Sequence, residues 1–85
     1  MKFIDIIKDE LLGKSIDISK FSLEYEEGMG IHKVKDGMFK TKFAKIFHVY
    51  KVATYEEFLI GVNAQIEGKV VLFMLGDDDE IIYEK

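Results

Sequence analysis

The chain has no cysteine, no proline and no arginine. Without Cys there is neither a disulfide framework nor a thiolate metal site, which suits a reducing, cytoplasmic setting. Arg is the usual residue for bidentate grips on phosphate, carboxylate or guanine. Its absence argues against specific base readout. All twelve basic residues are Lys, a bias that AT-rich codon usage favours and that fits a phage, plasmid or low-GC bacterial origin. No apolar run approaches the roughly 18 residues of a membrane span. The longest, Val70 to Leu75, suits a buried strand. Met1-Lys2-Phe3-Ile4-Asp5 meets charge too early for a secretory signal.

What is present fits one small domain over residues 1–85. Hydrophobic residues make up 48% and aromatics 13%, a high share for a chain with so much surface per residue. Either large side chains fill the core of a marginally stable domain, or an apolar patch is kept for a partner or a second copy. The net charge of −4 conceals segregation. Residues 1–30 carry −3, residues 31–51 carry +5 and residues 52–85 carry −6.

The basic block centres on Asp36-Gly37, flanked by alternating residues from Ile31 to Phe43. Asp-Gly in that setting predicts a two-residue hairpin turn. The turn would set Lys33 opposite Lys40 and put Lys33, Lys35, Lys40 and Lys42 on one face. His32, Val34, Phe39, Thr41 and Phe43 would take the other. Opposed lysines are costly, so such a face is a candidate for use.

Elsewhere, Phe3, Ile4, Ile7 and Leu11 share a helical stripe that Gly13 would close, predicting a helix over 2–12. Ser15 to Glu27 alternates as a strand interrupted near Ser19-Lys20. Residues 44–52 favour strand, with a bulge near Ala44-Lys45. Thr54-Tyr55-Glu56-Glu57 has the form of a capping box. Phe58, Leu59, Val62 and Ile66 follow on one helical face and Gly68 ends it, predicting a helix over 54–67. Val70 to Leu75 reads as a central strand and Glu80 to Tyr83 as a short edge strand. The expected fold is α+β: a mainly antiparallel sheet of four or five strands, an N-terminal helix and the capped helix 54–67. The expected core is Phe3, Ile7, Leu11, Leu23, Val34, Phe39, Phe43, Phe47, Phe58, Leu59, Val62, Val71 and Phe73.

Little points to catalysis. None of the serines or threonines sits in a Gly-x-Ser-x-Gly elbow, and Gly28-Met29-Gly30 completes neither a dinucleotide loop nor a P-loop. His32 and His48 lack metal-ligand spacing. Asp77, Asp78, Asp79 and Glu80 are consecutive, without the alternation of a calcium loop. No enzyme activity, cofactor or metal is expected.

Two surfaces remain as candidate partner-binding sites: the lysines 33, 35, 40 and 42, and the acids 77 to 80. In charge alone, a small acidic domain of this kind resembles the inhibitors and nucleic-acid mimics that phages direct at host enzymes. The expected function is a non-enzymatic protein-binding module, of phage- or plasmid-inhibitor type, with a homodimer as an option. The alternative is non-specific single-stranded nucleic-acid binding through the lysine face. It is the weaker of the two, because the expected register turns Phe39 and Phe43 away from the lysines.

Overall fold

A computed structural model describes residues 8–53, 58–76 and 78–85. It contains a 3-10 turn, Lys8–Leu11, and six strands: β1 (Ser15–Asp17), β2 (Glu24–Glu27), β3 (Gly30–Lys33), β4 (Phe43–Ala53), β5 (Phe58–Ile66) and β6 (Lys69–Leu75). Every pairing is antiparallel, and the order across the sheet is β1-β4-β5-β6-β2-β3. The fold is therefore all-β rather than α+β, with no α-helix among the described residues.

The main correction falls on β5. The capping box Thr54–Glu57, expected to start a helix, lies outside the described residues. Residues 58–66 form a strand between β4 and β6. Its physical basis is a period of two. Ile60, Val62, Ala64 and Ile66 are buried, while Asn63 and Gln65 fall between them on the other face. β-Branched residues at alternate positions suit a pleated surface better than a helix. Gly68 does not follow a helix either. Glu67 (φ 48°) and Gly68 (φ 79°) are both left-handed, as a type I′ turn joining β5 to β6 requires.

Of the helix expected over 2–12, residues 2–7, with the core candidates Phe3 and Ile7, lie outside the described residues. The remainder makes only the 3-10 turn. Leu11 is fully buried, and the Gly13 N–H donates to the Ile46 carbonyl at 2.8 Å, which leads the chain into β1.

The Asp36-Gly37 hairpin is also corrected. Gly37 has a φ of 80°, and the Met38 N–H donates to the Lys35 carbonyl at 3.1 Å, so a turn exists. No strand flanks it. β3 pairs back onto β2 across the two-residue turn Gly28-Met29, setting Tyr25 opposite His32 and Lys33 opposite Glu24. That register replaces a lysine pair with an opposite-charge pair and an aromatic pair, both favourable across strands.

β4 is 11 residues long. Its register shifts between Ile46 and His48, slightly beyond the expected Ala44-Lys45. The extra residue is Phe47, which is 48% exposed, whereas Ile46 is fully buried. A bulge puts two residues of one strand against one of its partner, so Phe47 leaves the core that the sequence pattern assigned it to.

The inner face of the sheet reads off the register. Ile16 lies opposite Ala44, Ile46 opposite Ala64, Ala64 opposite Val71, Val62 opposite Phe73 and Ile60 opposite Leu75. All of these residues are buried. The strand order also dictates how the face is covered. β1 and β2 are consecutive in sequence but separated by three strands, as are β3 and β4. Residues 18–23 and 34–42 must therefore cross the sheet. They cross on the inner side, since Phe21 stacks on Phe73 at 5.1 Å, and Leu23, Val34 and Phe39 pack against the core. The C-terminal segment closes one side: Ile81 is buried, and Tyr83 bridges to Ile16.

The bulge makes a sharp stability prediction. Ile46→Ala should cost about 2–5 kcal/mol, while Phe47→Ala next to it should stay within about 0.5 kcal/mol. Urea unfolding of the two variants measures both.

Candidate functional site

The two crossovers do not close completely. Between them lies an open concavity of about 740 Å³. Its apolar lining comes from Ile18, Phe21, Leu23, Val34, Phe39 and Phe43, and Lys33, Lys35, Lys40 and Lys42 all line it as well. Among the described residues, Asp36 is the only acid in the lining. The four lysines that the sequence singled out thus come together, but around a hollow rather than on a sheet face. The half-buried rings of Phe39 and Phe43 share that hollow with them, where the expected hairpin register had separated the two sets.

Two carboxylates outside the lining hold this loop. Glu67, in the β5–β6 turn, accepts from the Lys40 N–H at 2.7 Å, the Thr41 N–H at 3.0 Å and the Thr41 hydroxyl at 3.3 Å. The left-handed backbone of the I′ turn positions the side chain for this. The Thr41 N–H above all, then the Lys40 N–H and the Thr41 hydroxyl, outweighs partial desolvation and holds the Glu67 carboxyl below its ordinary pKa. Asp17 lies 3.6 Å from the Lys42 ammonium. It also accepts from the Ser19 N–H at 2.9 Å and the Ser19 hydroxyl at 2.6 Å. Burial raises its pKa, but the Ser19 bonds and the Lys42 charge prevail and lower it. The Lys42 ammonium sits 5.6 Å from the centre of the Phe43 ring, within cation–π range.

The described acidic candidates, Asp78, Asp79 and Glu80, do not join the site. Asp77 lies outside the described residues. Asp79 closes a turn by accepting the Gly76 N–H at 2.7 Å, and Asp78 is exposed. Neither they nor Glu80 lines the concavity. The histidines stay apart: His32 contacts Tyr25 on β3 and β2, and His48 stacks on Tyr50 along β4. Among the described residues no cluster of three or more His, Cys, Asp or Glu could hold a metal, and no helix is long and apolar enough to cross a membrane.

Sequence reasoning missed Glu67, whose role depends on a contact 26 to 27 residues away. It also missed an outer-face feature. The Tyr50 ring covers Gly61, where an added Cβ would collide with the ring. The neighbouring Asn63 Oδ1 is buried with no hydrogen-bond partner among the described residues.

No family model, curated protein or solved structure matches this chain. Its function is therefore read from the chemistry of the concavity.

The Glu67 clasp can be tested through its protons. Its folded pKa lies below its unfolded one, so its contribution is present above the unfolded value and fades as pH falls through the folded value. Protection of the Lys40 and Thr41 amides should decline on acidification. Asp17 titrates in the same direction, so the difference between the parent protein and Glu67→Gln isolates the clasp. Hydrogen exchange should show weaker protection of these two amides in the variant near neutral pH, and a flatter pH response.

Proposed function

We propose that this protein is a non-enzymatic binding module that docks an acidic segment of a protein partner into the lysine-rimmed concavity. The observation that carries this reading is the convergence of Lys33, Lys35, Lys40 and Lys42 on one apolar-lined hollow, with Asp36 the single acid among the described residues of its wall. A basic rim in an acidic protein focuses a local field that speeds encounter with an anionic segment. The apolar wall then adds binding energy by burying a side chain of the partner. An inhibitor of phage or plasmid type, acting on a host protein, is the sharpest form of this proposal, and its support there is size and composition.

A second reading is single-stranded nucleic-acid binding. One observation favours it: Phe21, Phe39 and Phe43 share the hollow with the lysines, as a stacking platform requires. It ranks second because Phe21 already stacks on Phe73 and the Lys42 ammonium occupies the Phe43 ring.

Three probes separate the readings: an acidic peptide with one Phe anchor, a poly-glutamate of equal charge, and oligo-dT. The anchored peptide should bind tightest, and changing the four lysines to Glu should abolish its binding. Phe39→Ala should remove the advantage of the anchor. Oligo-dT gripped by four lysines would lose about 50-fold in affinity from about 50 to about 200 mM salt. Binding of oligo-dT alone would favour the second reading, and binding of none of the probes would refute both.

A further inference from the structure

Antiparallel strands turn alternate residues toward each neighbour. The Val34 N–H donates to the Leu23 carbonyl at 3.0 Å, toward the β2 side. Counting back by twos, His32 and Gly30 also face β2, their partners being Tyr25 and Glu27. Ile31 and Lys33 therefore turn their N–H and C=O groups the other way. Among the described residues no strand lies on that side, because β3 ends the sheet.

Proteins blunt such edges with prolines, bulges or charge. β3 is short and carries Lys33, but it has no proline and pairs with β2 without a bulge. It also shows Ile31 58% exposed beside a fully exposed Met29. The edge leads directly to the proposed site, since Lys33, Val34 and Lys35 line the concavity.

We infer that the free edge of β3 takes an extended segment of an acidic protein partner as an added strand. This rests on the proposed docking of an acidic segment and specifies how that segment lies. Ile31 and Lys33 project to the same face, opposite Glu26 and Glu24 on β2. The added strand then carries an apolar residue beside Ile31 and, two positions away, an acid beside Lys33. A second copy of the chain fits less well. β3 reads Gly30-Ile31-His32-Lys33 and holds no acid, so two β3 edges paired together leave both lysines unmatched.

The probe is an end-blocked peptide, Thr-Glu-Thr-Val-Thr-Glu-Thr, whose side-chain order is the same in either direction. On its addition, the Ile31 and Lys33 amides should gain about tenfold or more in hydrogen-exchange protection, while Gly30 and His32 stay unchanged. N-methylation of the valine and glutamate amides should abolish binding in an antiparallel addition, and of the threonine amides in a parallel one. If neither set of methyl groups matters, backbone pairing is absent and the inference is overturned. Should the peptide perturb Lys35, Phe39 and Lys40 while Ile31 and Lys33 stay unprotected, the concavity reading survives and strand addition falls. Protection that rises with protein concentration alone would make a second copy the occupant, and protection by oligo-dT alone would make it a nucleic acid. Either result overturns the inference, as does failure of the peptide to bind.

Discussion

The need to cover one apolar sheet face governs this structure. β5 and β6 place Ile60, Val62, Ala64, Val71, Phe73 and Leu75 on the same side, all buried. A sheet with one such face is stable only when that face is packed against something. With no α-helix among the described residues, the cover comes from the chain's own crossovers, the 3-10 turn and the C-terminal segment. The strand order meets this requirement. Sending β2 and β3 to the far side of β6 makes residues 18–23 and 34–42 pass over the core.

A cover of irregular backbone packs less completely than a helix or a second sheet, and its joint is the concavity. Residues that complete the core, such as Leu23, Val34 and Phe39, are only half-buried there and remain available to a ligand. The lysines belong to the second crossover and its flanks, where long side chains keep their charged ends in water while their stems lie along apolar surface. Glu67 and Asp17 meet this loop from the sheet side, through its backbone amides and through Lys42. The hollow is thus shaped from outside by two acids while its own lining stays basic.

Much of the local structure was legible in the chain. The break in the first long strand, the central strand at Val70–Leu75 and the turn at Gly76–Asp79 follow from alternation and turn chemistry. β5 was misread because Phe58, Leu59, Val62 and Ile66 satisfy a helical stripe while Ile60, Val62, Ala64 and Ile66 satisfy a strand. A capping box beside the ambiguous segment weighted the choice toward helix. Glu67-Gly68 held only half of the contrary signal: Gly68 suits the second position of a I′ turn, whereas Glu at the first rarely takes a positive φ. Asp36-Gly37 was misread in the opposite sense. It does turn the chain, yet the pairing partner of β3 was set across Gly28-Met29, where opposite charges and rings meet.

By itself, the sequence determined the composition of this protein: a cysteine-free, arginine-free chain, one basic block between two acidic ones, and segments able to turn or to extend. Those properties are local, set by side-chain chemistry and backbone preference over a few residues. Only the tertiary structure decided which strands pair, which face each lysine serves, and that Glu67 would hold a loop formed some 26 residues earlier. Register and crossover depend on burial summed over the whole sheet, and no short window of sequence contains that sum.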